Sequence, residues 1–153
     1  MVRLEPHIEG AEPVADLMTG TARERRAFEV GGARAAELID ELPVLAVAAT
    51  RLPGTSRITG AAELRVKESD RIAAMARGLS AMGGDVTELP DGWEIRGPRD
   101  LEGARVSSGG DHRVAMALAV AGLLANGLTE IEQSECVDIS YPAFWGDLEM
   151  MCS

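Results

Sequence analysis

The chain has 153 residues, and its 46% hydrophobic and 26% charged content suits a globular protein with its own core. Its formal net charge of −10 at pH 7 argues against nucleic acid and anionic membranes as partners, because both are bound through a basic face. With two cysteines, no signal-peptide core at its start and no uncharged run of about 20 residues, the sequence predicts a cytoplasmic protein without a disulfide framework, a zinc site or a membrane span.

Residues 1–32 are predicted to form leading strands. An alternating pattern covers residues 2–5, and residues 14–18 and 27–30 are two further strand candidates. Glycines separate these segments from one another. A chain that opens on a strand, without a preceding cap or turn, is expected to be part of a longer protein.

From residue 33 onward, helical patterns alternate with strands. A short helix is predicted over residues 33–39 and a second one over 42–50, where Pro43 occupies the first turn, a position at which proline is tolerated. The elements that follow are a strand at 56–59, a helix at 70–82 that ends at Gly83-Gly84, a hairpin of strands 85–89 and 93–96, a strand at 104–106, a helix at 114–125, a strand at 129–133 and a helix at 143–151.

Two of the predicted helices, 42–50 and 114–124, are apolar on nearly all sides. This pattern predicts that they are buried all round, whereas the alternating strands predict sheets with one face in solvent. We therefore expect an α/β (α+β) fold with its helices inside and its sheets outside. The second half of the chain echoes the first at an offset of about seventy residues, which suggests an internal duplication.

Polar or charged side chains stand at the start of four predicted helices. These starts are Asp40-Glu41, residues 64–71, Asp111-His112-Arg113 and Ser140-Tyr141-Pro142. The positive ends of helix dipoles attract anions, so the repeated arrangement suggests one shared cleft that binds an anionic ligand. The alternative for an acidic start such as Asp40-Glu41 is purely structural, because carboxylates stabilise helix N-termini.

The second helix start carries the densest group of charges. Lys67 and Arg71 are four residues apart and share a helix face if the helix begins early. Glu68 between them is a carboxylate beside two cations, an arrangement suited to proton transfer with an anionic substrate. The alternative is a helix cap of solvated charges, with Ser69 or Asp70 at the N-cap position.

A local basic cluster inside a cleft can bind a small anion despite the negative net charge. The candidate members are Arg65, Lys67, Arg71, Arg105, His112 and Arg113. His112 either orients a neighbouring group or satisfies a contact in the core. The loop 107–110 either cradles an anion or is simply a connection. Cys136 has acidic neighbours that raise the pKa of its thiol, so it is not proposed as a nucleophile.

Four sequence blocks, in the same order, resemble those of a known family. They are Ile39-Asp40-Glu41-Leu42-Pro43, residues 63–71 with their Lys-Glu-Ser-Asp-Arg ending, Asp111-His112-Arg113-Val114-Ala115-Met116 and Ser140-Tyr141-Pro142-Ala143-Phe144. On these blocks the chain resembles the C-terminal part of the EPSP synthase (3-phosphoshikimate 1-carboxyvinyltransferase) family of enolpyruvyl transferases. The resemblance covers essentially all of this chain but only the last third of a typical family member.

The resemblance implies transfer of the enolpyruvyl group from phosphoenolpyruvate to the 5-hydroxyl of shikimate 3-phosphate. The reaction proceeds by addition and then elimination of phosphate, without a metal or another cofactor. By matched position, Asp40 is implied to be the base near the 5-hydroxyl. Glu68 is implied to manage the proton at the methylene carbon of phosphoenolpyruvate.

The same matches imply binding roles. Arg71 and Arg113 are implied to hold the carboxylate and phosphate of phosphoenolpyruvate, and His112 to line that pocket. Lys67 and Asp40 are implied to contact shikimate 3-phosphate. Ile139 is a departure, because many family members place a lysine just before the closing Ser/Thr-aromatic-Pro element; a second branch, which includes glyphosate-tolerant enzymes, also lacks it.

The family fold has two domains, each built from three β-α-β-α-β-β units with buried helices. The resemblance thus implies that residues 1–153 form a C-terminal portion with two repeat units, 33–100 and 101–153, and that an N-terminal domain is missing. Half of an interdomain site cannot orient two substrates, so we expect the isolated chain to be inactive. The alternatives are a UDP-N-acetylglucosamine enolpyruvyltransferase, which shares the architecture, and a binding remnant without catalytic activity.

Overall fold

A computed structural model describes residues 2–9, 12–20 and 24–152 of the chain. Its strands are β1 (Val2–Glu9), β2 (Glu12–Thr19), β3 (Glu29–Val30), β4 (Gly54–Ile58), β5 (Asp85–Leu89), β6 (Gly92–Gly97), β7 (Leu101–Glu102), β8 (Arg105–Ser107), β9 (Ala125–Asn126) and β10 (Glu130–Glu132). Its α-helices are α1 (Ala33–Glu37), α2 (Leu42–Ala49), α3 (Arg71–Ala81), α4 (His112–Leu124) and α5 (Phe144–Cys152). Two 3₁₀ helices span Ala62–Val66 and Ser134–Ile139.

The largest sheet has four strands in the order β3-β4-β6-β5. β3 runs parallel to β4, and the other neighbours are antiparallel, including the predicted hairpin in which Leu89 lies opposite Gly92. In β4 the side chains of Ser56 and Ile58 are buried while those of Thr55 and Arg57 are exposed. The period of two in the sequence thus corresponds to one core face and one solvent face.

Helices α2, α3 and α4 pack against one another beneath this sheet and supply most of the core. Their fully buried members include Leu42, Ile72 and Leu118. The expectation that α2 and α4 are buried on every side is wrong in places, because Val44 is 39% exposed and Leu123 52% exposed. The sequence marks these positions as apolar but does not specify which neighbouring element covers them.

An element order of helix, strand, 3₁₀ helix and helix occurs twice. It runs through α2, β4, Ala62–Val66 and α3, and again through α4, β10, Ser134–Ile139 and α5, where the two-residue strand β9 is inserted after α4. In both cases the strand pairs in parallel with a strand that precedes the first helix, β3 with β4 and β8 with β10. The internal duplication and its unit boundaries, 33–100 and 101–153, stay predictions.

The remaining strands form small sheets of two strands each. β1 and β2 pair with each other as an antiparallel hairpin, with Val2 opposite Thr19. The two-residue strands β7 and β9, which no local pattern predicts, pair in parallel. None of the described helices is long and apolar enough to cross a membrane.

Candidate functional site

Arg71 lies at the centre of an ion-pair network at the N-termini of α2, α3 and α4. It is the first residue of α3, and its side chain is only 2% exposed. Its Nε donates to Asp111 Oδ2 at 2.8 Å, Nη1 to Asp40 Oδ1 at 3.1 Å and Nη2 to Glu68 Oε2 at 2.6 Å. All three nitrogens of one buried guanidinium are therefore bound to carboxylates from three different segments.

Arg113 joins the network from the first turn of α4. Its Nη1 donates to the backbone oxygen of Asp40 at 3.2 Å, and its Nη2 lies 3.3 Å from Asp40 Oδ2. A longer contact of 3.7 Å joins Nη1 to Glu41 Oε1. Asp40 thus bridges two arginines that lie 42 positions apart in the sequence, and four of the predicted site residues, Asp40, Glu68, Arg71 and Arg113, share one network.

Local capping explains why these helices begin where they do. Asp70 caps α3 by accepting from the backbone N–H of Ala73 at 2.9 Å, which fits the capping alternative drawn from the sequence. Asp111 caps α4 by accepting from the N–H groups of Arg113 and Val114. Since α3 begins at Arg71, Lys67 precedes it as the C-cap of the 3₁₀ helix Ala62–Val66, and the two cations do not share a helix face.

The charges of the network do not balance. Two guanidinium groups, of Arg71 and Arg113, face four carboxylates in the described structure. The carboxylates belong to Asp40, Glu41, Glu68 and Asp111. Before an external anion contacts the Nη groups of Arg71, at least one carboxylate has to move away or be outweighed by further positive charge.

An apolar cavity of about 200 Å³ adjoins the network. Asp40, Glu41 and Arg113 line its polar edge. The rest of the lining comes from α2, α4 and the first residue of α5, namely Pro43, Val44, Met116, Ala117, Val120 and Phe144. Apolar side chains therefore lie beside the charged groups, and electrostatic interactions are stronger next to apolar protein than in water.

Lys67 and His112 stand beside this network without joining it. The ammonium of Lys67 is paired with Glu63. His112 begins α4 and is partly buried, and its imidazole makes no hydrogen bond or ion pair with another described residue. These positions do not test the predicted contact of Lys67 with a phosphorylated substrate. The predicted place of His112 in the phosphoenolpyruvate pocket also stays a prediction.

The broader basic cluster considered from the sequence does not form. Arg65 is held by Asp70, by Glu88 and by the backbone oxygens of the β5–β6 turn, with contacts between 2.7 and 2.9 Å. Arg105 pairs with Glu132 at 2.8 Å on the separate β8–β10 sheet. Both arginines carry structural ion pairs, and the sequence does not reveal those with Glu88 and Glu132 because these partners lie more than 20 residues along the chain.

The loop 107–110 is a closed connection. The N–H of Gly109 donates to Ser107 Oγ at 3.2 Å, and that of Gly110 donates to Ser108 Oγ at 3.0 Å. Its amide donors are therefore occupied internally rather than offered to an anion. Burial, with the nearby negative charge of Asp111 and Glu135 adding to it, raises the pKa of the Cys136 thiol, in agreement with the expectation that it is not a nucleophile.

The fourth predicted helix start, Ser140-Tyr141-Pro142, contributes no residue to the ion-pair network, and the nearby Phe144 is the residue of this segment that reaches the site. Tyr141 donates from its hydroxyl to Asp147 Oδ2 at 2.7 Å, a contact that raises the pKa of the tyrosine. Phe144, three residues later, lines the cavity, so α5 meets the site with an aromatic ring rather than a charge. Within the described residues, no group of three or more His, Cys, Asp or Glu side chains is arranged to hold a metal ion.

Sequence reasoning did not give Asp111 or Phe144 a role in the site. Asp111 carries a signal that local rules do detect, an N-cap aspartate before an apolar helix. No local sequence pattern predicts the hydrogen bond between Asp111 and Arg71, which is 40 residues away. Phe144 has no polar group that would suggest a functional role from the sequence, and tertiary packing places it at the cavity.

The model of the family described as EPSP synthase (3-phosphoshikimate 1-carboxyvinyltransferase) matches residues 8–148. Among curated proteins, the 3-phosphoshikimate 1-carboxyvinyltransferase of Synechococcus sp. (strain RCC307) is 54% identical over 137 residues, which cover 90% of this chain and 31% of that protein. That of Syntrophomonas wolfei is 52% identical over 143 residues, or 93% of this chain and 33% of its own length. The chain thus spans about a third of the length of the curated relatives that it matches.

Solved structures give the same picture. EPSP synthase from Acinetobacter baumannii superposes with a TM-score of 0.89 at 37% identity, covering 98% of this chain and 35% of that one. The enolpyruvyl transferase NikO from Streptomyces tendae superposes with a TM-score of 0.71 at 22% identity, covering 97% of this chain and 32% of that one. The enolpyruvyl transferase NikO thus shares the fold of this chain at low sequence identity.

Proposed function

Because the chain belongs to the EPSP synthase family, we propose that it supplies the C-terminal part of an enzyme that transfers the enolpyruvyl group of phosphoenolpyruvate to the 5-hydroxyl of shikimate 3-phosphate. The rest of the enzyme is the portion of the relatives that this chain does not match, which we propose to be an N-terminal domain. We further propose that the enzyme works in the cytoplasm, on small anionic substrates.

The observation that carries this proposal is the convergence of Asp40, Glu68, Arg71 and Arg113 in one network. These four residues come from three segments of the chain, and the family resemblance implies a role for each in the same reaction, catalytic for Asp40 and Glu68 and substrate-binding for Arg71 and Arg113. Asp40 and Glu68 contact the guanidinium of Arg71 directly, and Arg113 joins them through Asp40. The adjoining cavity is lined mainly by apolar side chains and has Asp40, Glu41 and Arg113 at its polar edge.

In the proposed reaction Asp40 accepts the proton of the 5-hydroxyl of shikimate 3-phosphate while the oxygen of that hydroxyl bonds to C2 of phosphoenolpyruvate. Glu68 delivers a proton to the methylene carbon, which becomes a methyl group. In the elimination step Glu68 takes a proton back from that methyl group, and the bond from C2 to the phosphate oxygen breaks. Phosphate leaves with the proton that Asp40 accepted, so both carboxyl groups return to their starting protonation states. Both carboxylates are partly open to solvent, at 40% and 51% exposure, so substrate can reach them.

Binding is proposed to depend on the cations around these carboxylates. Arg71 and Arg113 hold the carboxylate and phosphate of phosphoenolpyruvate, because a planar guanidinium matches both groups. His112 lines the same pocket, and Lys67 contacts shikimate 3-phosphate together with Asp40. The excess of carboxylates over guanidinium groups in the network means that this part alone attracts a multiply charged anion poorly, so further cations from the missing portion are part of the proposal.

The test is complementation. We would express the chain together with the N-terminal two thirds of the Synechococcus sp. (strain RCC307) relative and measure phosphate release. We expect release that requires both phosphoenolpyruvate and shikimate 3-phosphate. Asp40→Asn and Glu68→Gln should abolish it. Asp100→Asn, at a surface carboxylate that is 86% exposed and pairs with Arg51, should leave it unchanged.

Two outcomes would contradict the proposal. One is a folded, complemented complex that reacts only when UDP-N-acetylglucosamine replaces shikimate 3-phosphate, which would indicate the related nucleotide-sugar activity. The other is a folded complex that binds phosphoenolpyruvate without releasing phosphate from it, which would indicate a binding remnant.

A further inference from the structure

Asp111 is a buried carboxylate to which the proposed reaction gives no role. Its side chain is fully buried, and four donors surround it. Oδ1 accepts from the backbone N–H groups of Arg113 at 2.9 Å and Val114 at 3.3 Å. Oδ2 accepts from Arg71 Nε at 2.8 Å and from Ser69 Oγ at 3.2 Å. Both oxygens are therefore engaged, one by α4 and the other by the start of α3.

A helix cap does not by itself require this charge. An uncharged oxygen acceptor such as that of Ser, Thr or Asn caps a helix about as well. An ionised carboxylate withdrawn from water is costly unless a cation and hydrogen bonds compensate it. The compensating cation here is Arg71, which is equally buried, so the negative charge of Asp111 is matched to that guanidinium rather than to the helix.

The pairing fixes which edge of Arg71 faces the site. Because Nε is bound to Asp111, the two Nη groups point to Asp40 and Glu68, the partly exposed carboxylates of the network. We propose that Asp111 is a positioning residue that holds the guanidinium of Arg71 with its two Nη groups directed at the anion of the substrate. With Nε occupied, the two Nη groups are the edge of the guanidinium that can offer a carboxylate or phosphate two parallel N–H donors for bidentate binding.

The same side chain fixes a second distance. Oδ1 holds the first turn of α4, which carries Arg113, while Oδ2 holds Arg71 on α3. One carboxylate thus sets the spacing of the two guanidinium groups that are proposed to bind phosphoenolpyruvate. This inference rests on the proposed function, since it takes phosphoenolpyruvate as the anion that Arg71 binds.

The test separates capping from positioning. Asp111→Asn keeps an oxygen that can cap α4 but loses the charge matched to Arg71. Asp70→Asn is the matched control, because Asp70 also caps a helix of the site and pairs with an arginine, Arg65, yet does not contact the side chain of Arg71. In the complemented enzyme we expect Asp111→Asn to raise the KM for phosphoenolpyruvate at least about tenfold. The KM for shikimate 3-phosphate should stay within about twofold, and Asp70→Asn should change neither constant.

A second readout needs no substrate. In the nuclear magnetic resonance spectrum of the 153-residue chain, we expect the Nε–H of Arg71 to exchange slowly with solvent, with Arg71→Lys removing and so assigning the signal. Asp111→Asn should shift this signal and speed its exchange, whereas Asp70→Asn should not. Exchange as fast as that of an exposed arginine such as Arg34 would overturn the pairing on which the inference depends.

The two proposals fail in different ways. A complemented wild-type enzyme without activity would overturn the proposed function and the positioning role together. An active enzyme in which Asp111→Asn alters both KM values equally, or in which Asp70→Asn has the same effect, would overturn the positioning role alone. The slow Nε–H signal would then describe a purely structural ion pair.

Discussion

Gly78 of α3 packs against Leu118 of α4, and a Cβ placed on Gly78 would be 2.7 Å from Leu118 Cδ2. Both residues are buried, and because Leu118 is enclosed by the core its side chain has no solvent-filled space into which to move. The absence of a side chain at Gly78 therefore sets how closely α3 and α4 approach. Since Arg71 and Arg113 lie in the first turns of these two helices, the same contact helps to fix the spacing of the site.

Gly78→Ala is accordingly expected to destabilise the protein. Alanine favours a helix over glycine by about 1 kcal/mol, but overpacking a core contact costs about 1–3 kcal/mol. We expect a net loss of about 1 kcal/mol in the free energy of unfolding, measured by urea denaturation. Leu118→Val in the Gly78→Ala background should recover part of that loss, and a stabilised Gly78→Ala single variant would show that the helices separate freely.

Arg71 and Arg113 should differ sharply as contributors to stability. Arg71→Met leaves Asp111 buried without its cation, so we expect a loss of about 3–5 kcal/mol in the free energy of unfolding. Arg113→Met removes a side chain that is 32% exposed, and we expect a loss of no more than about 1 kcal/mol. The measurement is urea unfolding of both variants. Arg71→Met/Asp111→Asn should be more stable than Arg71→Met, and equal losses for the two single arginine variants would contradict the burial of the ion pair.

Thr129→Val should stabilise the protein. Among the described residues, Thr129 Oγ1 is the buried side-chain polar atom without a hydrogen-bond partner. Replacing the hydroxyl by a methyl group removes an unpaired polar atom at nearly constant volume, and we expect a gain of about 1 kcal/mol. Thermal unfolding measures the change. Thr129→Ser, which keeps the hydroxyl and loses the methyl group, should be less stable than the wild type.

The ion pair of Asp70 should make stability depend on pH. Burial acts to raise the pKa of Asp70, but the N–H of Ala73 and the guanidinium of Arg65 outweigh it and hold the pKa below its ordinary value of 3.8. A depressed carboxyl pKa contributes stability above the ordinary value, and this contribution is lost as the pH falls through the folded-state pKa. The free-energy difference between wild type and Asp70→Asn should therefore be largest near neutral pH and shrink below pH 3.8. Urea titrations across this range provide the test, and a difference that is constant with pH would contradict it.

Phosphoenolpyruvate should bind weakly to the chain by itself. The network holds more carboxylates than guanidinium groups, and Glu68 already occupies Nη2 of Arg71. We expect isothermal titration calorimetry to give a dissociation constant above the micromolar range, and Glu68→Gln to tighten binding because it removes a competing charge. Glu37→Gln, at an exposed carboxylate that pairs with Arg34, is the control and should have no effect. Submicromolar binding by the unaltered chain would contradict the charge balance.

The sequence by itself determined the local features of this protein. Helix α3, with Asp70 as its cap, the β5–β6 hairpin and Pro43 in the first turn of α2 all follow from rules that act within a few residues. The sequence blocks also sufficed to indicate the family, because the Lys-Glu-Ser-Asp-Arg ending and its companions are read directly from residue order.

Only the tertiary structure decided which charges meet. Arg65 and Arg71 are six positions apart in one motif, yet Arg65 binds the β5–β6 turn while Arg71 is buried against Asp111 and Asp40. No local rule separates them, since both are arginines beside carboxylates in the sequence. Their partners are set by how α2, α3, α4 and the hairpin pack, and packing is a sum of contacts between distant segments that no short stretch of sequence contains.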